Sequence, residues 1–281
     1  MPLVTTAELF TRARNRGQGL PAFNVLHLET IEAIAAGAER TGTGVVLQIS
    51  QNCVRYHGGL APLAAASRAV AESSSAPLSL HLDHAEDLDL VREALDLGFS
   101  SVMYDGATLD YPENVARTVT AVSAAHAVGA IVEAELGEIG GKDGAHAPGV
   151  RTDPAEAARF AADTGVDALA VAVGSSHAML ERTAELDTDL IAAIAAAVPV
   201  PLVLHGSSGV PDASIQAGIR SGMVKVNIST QLNKMFTAGV RERLGAQPDL
   251  VDSRKYLGAG RDRLADEVAR LVDVLTMVTT A

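Results

Sequence analysis

Eight short β-type runs, each followed by a helix-patterned stretch, constrain this chain more than any other feature. They are "PAFNV" (21–25), "GVVLQIS" (44–50), "LSLHLD" (78–83), "SSVMYD" (100–105), "AIVEAEL" (130–136), "ALAVAV" (168–173), "PLVLHG" (201–206) and "MVKVNI" (223–228). Between them lie segments such as "LETIEAIAAGAERTG" and "DTDLIAAIAAAV", with apolar residues at helical spacing and glycine stops. "TDPAEA" carries an N-cap signal at Asp153, with Pro154 at the first helical position and Glu156 three residues after the cap. Eight alternations predict a (β/α)8 TIM barrel of the α/β class. With 48% hydrophobic residues but 3% aromatics and no Trp, its core must be built from Ala, Val, Leu and Ile, as in helices packed on a buried parallel sheet. No linker or composition shift divides the 281 residues, so one domain over 1–281 is expected, with a C-terminal helical extension over about 252–278 whose apolar stripe needs a covering partner.

Charge and cysteine content narrow the functional classes. A net charge of −12 argues against a nucleic-acid or acidic-membrane surface, and no apolar run is long enough for a membrane span. A single cysteine, Cys53, and an N-terminus without a signal-like apolar stretch predict a soluble cytoplasmic protein. Local anion sites stay open.

Polar residues stand at the carboxyl end of every run: Asn24, Gln48 with Ser50, Asp83 with His84, Asp105, Glu133 with Glu135, His177 just past the sixth run, His205, and Asn227. In a barrel these positions converge on the face that carries active sites. Carboxylates buried there without a counter-charge would be costly, and a cation would satisfy them. His84, His177 and His205 could supply three imidazole nitrogens, the number of protein ligands a catalytic zinc usually takes. Asp105 and Glu135 are partners to those ligands or ligands of a second metal position. Any one histidine alone would be read as structural, and Asp105 reads equally well as a turn residue. His27, His57, His126 and His146 show no such convergence, and His81, one pleat before Asp83, is expected to face the interior without ligating. Glu133 and Glu135 lie two apart, so both point into the barrel if Val132, Ala134 and Leu136 face the helices.

Glycine-rich segments follow the seventh and eighth runs, where barrels commonly hold a phosphate. In "HGSSGVPD" (205–212), Gly206 and Gly209 would let backbone amides approach an anion. Ser207 and Ser208 add hydroxyls, and a helix beginning near Pro211 brings its positive end. Lys225 either pairs with an inner carboxylate or assists the anion; the sequence leaves both open.

These residues, in this order, resemble the class II, metal-dependent fructose-bisphosphate and tagatose-bisphosphate aldolase family. The resemblance runs through "PAFNV", "HLDH", "GFSSVMYDGA", "VEAELGEIGG", "GSSH", "PLVLHGSSG" and "KVNIST" to "SRKYLGAGRDRL", nearly the whole chain. It implies an aldehyde-lyase, a homodimer or homotetramer, that cleaves a phosphorylated ketose to dihydroxyacetone phosphate and an aldehyde. Carried over by position, His84, His177 and His205 hold a catalytic Zn2+, and Asp105 and Glu135 mark a second metal position. Asp83 is the acid/base on the C4 hydroxyl. Gly206, Ser207, Ser208, Asn227, Ile228, Ser229 and Thr230 bind the dihydroxyacetone phosphate moiety, beside Asn24, Gln48 and Ser50 at the rim. Arg261 aligns with a basic residue that in some relatives reaches the distal phosphate in a neighbouring subunit. A monovalent cation, Na+ or K+, is also implied.

Three positions depart from the family's pattern. Ala178 stands where a glycine amide meets the phosphate, and Ala107 lacks a hydroxyl that would contact the monovalent ion or substrate. Asp143 stands where a glutamate handles the C3 proton. Whether the ketose is of the fructose or tagatose series, and carries one phosphate or two, stays open. So do two rivals, a metal-dependent barrel hydrolase or isomerase and a non-catalytic homologue within an aldolase assembly.

Overall fold

The computed structural model describes residues 3–136, 151–177 and 179–277. Eight parallel strands close into a barrel in sequence order: β1 (Leu20–Asn24), β2 (Val45–Ser50), β3 (Leu78–Ala85), β4 (Ser101–Tyr104), β5 (Ile131–Leu136), β6 (Ala168–Val171), β7 (Leu202–Leu204) and β8 (Met223–Ile228), with β8 pairing back to β1. The helices are α1 (Thr6–Arg16), α2 (Leu28–Thr41), α3 (Gln51–His57), α4 (Ala61–Ser73), α5 (Leu88–Asp96), α6 (Tyr111–Ala127), α7 (Pro154–Thr164), α8 (Thr188–Ala197), α9 (Asp212–Ser221), α10 (Thr230–Ala246) and α11 (Ser253–Thr276). All eight expected strands form; β2, β4, β5 and β6 are one or two residues shorter than the run that signals them, β7 is three shorter and β3 two longer. Asp153 caps α7 as its sequence predicts, accepting from the amides of Ala155 and Glu156.

Strand alternation sorts the side chains. On β5, Val132, Ala134 and Leu136 pack outward against the helices while Glu133 and Glu135 are buried inside. The lower interior is lined by small residues, Ala22, Ala168 and Ala170 among them. Leu9, Phe10 and Ala13 of α1 join that same cluster. A helix ahead of the first strand thus closes the amino end of the barrel and fills volume that the alanines leave, which the reading of eight βα units did not foresee.

The long C-terminal helix α11 packs on α2 and α10, burying Leu264, Val268, Leu271, Val272 and Leu275. It finds its cover within the chain. The approach to α2 is close enough that a Cβ at Gly37 would stand 2.5 Å from Val268 Cγ1, so only glycine fits there.

β3 is the irregular strand. Its pairing with β4 shifts register between Leu82 and Ala85, and His84 takes φ of 48°, left-handed for a residue with a side chain. Normal alternation would send Asp83 inward and His84 outward. The kink lets both neighbours reach the carboxyl mouth of the barrel.

Candidate active site

His84 from the end of β3, His177 from the loop after β6 and His205 directly after β7 meet at that mouth. Their ring centroids are 4.6–5.8 Å apart, and one donor atom from each, with a carboxylate oxygen of Glu135, lies within 4.8 Å of the others. Two of the three rings are held by carboxylates through their outer nitrogens. His84 Nδ1 donates to Asp105 Oδ2 (2.7 Å), and His205 Nε2 donates to Glu133 Oε1 (2.8 Å), which turns His84 Nε2 and His205 Nδ1 toward the common centre. Carboxylates that lock a histidine's tautomer in this way are characteristic of metal-binding imidazoles. Asp105 also accepts from the Ala107 amide (3.3 Å), so the turn role and the histidine-holding role coexist in one side chain.

The charge balance agrees. Asp83, Asp105, Glu133 and Glu135 are all at most 5% exposed, and the one lysine buried with them, Lys225, places Nζ 2.7 Å from Glu133 Oε2. Lys225 therefore pairs with the inner carboxylate; it does not reach the anion loops. Burial would raise the Glu133 carboxyl, but the Lys225 ammonium and His205 hold it well below the carboxylate range. Burial disfavours charge on His205 as well, yet its hydrogen bonds to Glu133 and Glu135 raise its pKa to about 9. Such an anionic pocket invites a cation. Three imidazole nitrogens and a carboxylate oxygen, all within 4.8 Å of one another, are a donor set that suits zinc. The residues fit the metal.

His81 behaves as expected. It is fully buried, its Nδ1 donating to Ser101 Oγ (2.5 Å) and its Nε2 facing Lys225 Nζ at 3.4 Å. Burial, reinforced by Lys225, lowers its pKa to about 3, so it is neutral. Beside it, Asp83 Oδ2 accepts from Asn24 Nδ2 (2.8 Å), whose Oδ1 accepts from Gln48 Nε2 (2.8 Å). Asn227 Nδ2 approaches Asp83 Oδ1 at 3.5 Å. Burial pushes the Asp83 carboxyl up, but the positive groups at His84, Lys225 and His205 outweigh it and lower its pKa. Asp83 is an oriented, ionised carboxylate.

A cleft of about 260 Å³ opens over these groups, small among ligand sites. Asn24, Gln48, Ser50, Asp83, His84, Asp105, His177, Gly206, Ser207, Ser208, Asn227, Ser229 and Thr230 all line it, as the sequence predicts. Ile228 does not. Alternation along β8 puts Asn227 inside and sends the Ile228 side chain, 1% exposed, into the core against the helices, so only its backbone is near the site. Arg261 sits on α11, paired with Glu32 (3.1 Å) and Asp262 (3.2 Å), away from the cleft. Asp143, His146 and Ala178 lie outside the described residues.

The anion loops differ in detail from expectation. Ser207–Gly209 form one 3-10 turn after Gly206, whose φ of 64° and proximity to Ser176, 2.6 Å from a would-be Cβ, exclude a side chain. The Ser207 hydroxyl donates to the Asn227 carbonyl, and Ser208 Oγ accepts from the Gln231 amide (3.2 Å). These hydroxyls knit the two loops together. The start of α9 is occupied by Asp212, which Arg182 and Arg270 pair with at 2.5 and 2.6 Å. Instead Thr230, the first residue of α10, and its N-cap Ser229 line the cleft, so this helix offers its positive end there.

Five lining residues escaped the sequence reading: Gln51, Asn52, Arg55, Glu86 and Ser176. Three belong to α3, which starts at once after β2 because Ser50 is both the last strand residue and the N-cap. Glu86 precedes α5, whose N-cap is Asp87.

Comparison with known proteins gives a consistent answer. The family described as "Fructose-bisphosphate aldolase class-II" matches residues 4–279. A probable fructose-bisphosphate aldolase of Bacillus subtilis (strain 168) is 38% identical, with 95% of each chain covered. A fructose-bisphosphate aldolase of Thermus caldophilus is also 38% identical, covering 99% of this chain and 100% of that one. Among solved structures, the YdjI aldolase of Escherichia coli K12 superposes with a TM-score of 0.83 (27% identity, 97% of both chains). A putative fructose-1,6-bisphosphate aldolase of Coccidioides immitis gives 0.86 (30% identity, 96% of this chain and 95% of that one).

Proposed function

Since the chain belongs to the class II fructose-bisphosphate aldolase family, whose members are generally metal-dependent aldolases acting on phosphorylated sugars, we propose that it is a zinc-dependent enzyme. Its reaction would be the reversible cleavage of a ketose 1,6-bisphosphate of the fructose or tagatose type to dihydroxyacetone phosphate and an aldehyde. The observation that carries this reading is the meeting of His84, His177, His205 and Glu135 at the carboxyl mouth with an ionised Asp83 beside them.

The residues divide the work. Gly206, Ser207, Ser208, Asn227, Ser229 and Thr230 hold the phosphate of the dihydroxyacetone moiety between the β7 and β8 loops, at the positive end of α10. His84, His177 and His205 hold zinc, with Asp105 and Glu133 fixing two of the rings and Glu135 at the second metal position. When bound, the metal supplies a Lewis acid to the substrate's C2 carbonyl. Asp83, oriented by Asn24 and Asn227, accepts the C4 hydroxyl proton as the C3–C4 bond breaks. Asp143 returns a proton to C3. Arg261 takes part only through a neighbouring subunit, in a homodimer or homotetramer. Na+ or K+ assists the phosphate side.

The test is a coupled assay for dihydroxyacetone phosphate release from fructose and tagatose 1,6-bisphosphates, with and without a chelator. Release that stops on metal removal and returns with zinc is the expected result. Full activity after complete metal removal, or hydrolysis without any retro-aldol product, would overturn the proposal.

A further inference from the structure

The two arginines that meet Asp212 belong to a longer chain of contacts behind the anion loops. Arg182 shares the segment between β6 and α8 with His177. It donates from Nε (2.9 Å) and Nη2 (2.6 Å) to the Val210 carbonyl, and from Nη2 to Asp212 Oδ1 (2.5 Å). Arg270 Nη1 donates to Asp212 Oδ2 (2.6 Å), and its Nε and Nη2 donate to the two oxygens of Glu267 (2.8 Å each). Glu267 Oε1 also accepts from Gln231 Nε2 (2.9 Å), and the Gln231 amide donates to Ser208 Oγ (3.2 Å). The chain leaves the end of the 3-10 turn at Val210 and returns to it at Ser208, by way of α9, α11 and the first turn of α10. It is a closed ring.

Of the ring's members only Ser208 lines the cleft. Burial pushes the carboxyls of Asp212 and Glu267 up, but the guanidiniums beside them hold both below their ordinary values. Two carboxylates thus balance two guanidiniums, and a balanced set offers an anion in the cleft little net attraction. What it offers is geometry. Glu267 and Gln231 are buried, where a hydrogen bond holds more firmly than at the surface. The segment that carries Arg182 also lies directly on the turn: the Ala184 amide donates to the Gly209 carbonyl (2.9 Å), and a Cβ at Gly209 would stand 2.5 Å from Met179 Cβ.

From this arrangement we propose that Arg182 and Glu267 are positioning residues for the phosphate-binding loops: the ring they close sets the spacing between the Ser207–Gly209 turn and the first turn of α10. The inference rests on the reading of those two elements as the phosphate cradle, and deepens it. Neither side chain lines the cleft, so neither touches the anion or the reacting carbons. Opening the ring loosens the cradle and weakens phosphate binding, while Asp83 and the metal ligands keep their places in the bond-breaking step.

The experiment compares zinc-loaded wild type, Arg182→Ala, Arg182→Lys, Glu267→Gln and the double variant Arg182→Ala/Glu267→Gln. Binding of dihydroxyacetone phosphate is measured by titration calorimetry, and cleavage of a ketose 1,6-bisphosphate by steady-state kinetics. Arg182→Ala and Glu267→Gln should each weaken binding and raise KM about 3- to 30-fold, with kcat changed by less than about 2-fold. Arg182→Lys keeps one donor for Val210 or Asp212 and retains part of the affinity. The double variant should bind about as the weaker single does, because either break opens the same ring. Arg182→Lys and Glu267→Gln, which nearly conserve volume, carry the test if Arg182→Ala does not fold. A fall in kcat with KM and binding unchanged would mark a general loss of folded enzyme, and losses that multiply in the double variant would mark two unrelated contacts. Either result overturns the proposal, as does unchanged binding in both single variants. Wild-type protein that binds dihydroxyacetone phosphate but cleaves no ketose bisphosphate, with variants that lose that binding, would uphold the ring and strike the aldolase reading.

Discussion

Lys225→Met removes an ammonium whose Nζ lies 2.7 Å from Glu133 Oε2, with the two side chains 0% and 2% exposed. Methionine fills a similar volume, so little packing is lost. What remains is a carboxylate in the barrel interior with no strong counter-charge except its hydrogen bond from His205. Breaking one side of such a pair costs about 3–5 kcal/mol, a large share of the roughly 5–15 kcal/mol that holds a typical domain folded. For a chain of this size that is a fall of roughly 5–8 °C in melting temperature. Measured by urea unfolding and by thermal melts on metal-free protein, so that ligand linkage does not intrude, Lys225→Met should show this loss. Lys225→Met/Glu133→Gln should recover most of it, because the uncompensated charge is gone. A double variant as unstable as Lys225→Met alone would refute the reasoning, since the damage would then come from packing and not from charge.

Further outcomes follow from the same geometry. His205 has its pKa raised above the ordinary 6.5 to about 9. The stabilisation from its protonated form is therefore full below about pH 6.5 and lost as pH rises through about 9 in the metal-free protein. Zinc must displace that proton, so zinc affinity measured by chelator competition should rise about tenfold per pH unit from about pH 7 to 9 and then level off; a flat profile would count against His205 as a ligand. Gly206→Ala puts a Cβ 2.6 Å from the Ser176 carbonyl carbon at a φ of 64°, and steady-state kinetics should show a raised KM for the phosphorylated substrate. Ile228→Val should cost about 0.5–1.5 kcal/mol in urea unfolding while leaving KM unchanged, because that side chain serves the core.

The barrel was legible because its code is short-range: glycine stops, helix caps such as Asp153, and runs whose inward positions carry polar groups only near the carboxyl end. The same period explains why Glu133 and Glu135 could be placed together inside. Where the sequence reading faltered, a contiguous motif had been taken as a contiguous surface. "KVNIST" reads as one patch, but alternation turns Ile228 to the core. The anion-facing helix was placed at Pro211 since "GVPD" signals a helix start. Only tertiary pairing reveals that Asp212 and its two arginines occupy that end while α10 turns toward the cleft. Lys225 was ambiguous for the same reason, its partner lying 92 residues away. Arg55 belongs to a helix so closely joined to β2 that the run "GVVLQIS" gave no sign of it.

His84 holds its imidazole at the centre by keeping φ at 48°, a conformation that costs an L-residue with a β-carbon about 1–2 kcal/mol. Glycine, and to a lesser degree asparagine, would rest there at ease. His84→Gly in the metal-free protein should therefore melt no lower than wild type, and this position is one where heat tolerance and chemistry pull in opposite directions. A library selected for thermal survival alone would tend to shed this histidine and return well-folded barrels that lack one of the proposed metal ligands. Selection for a hardier enzyme has to score turnover in the same round.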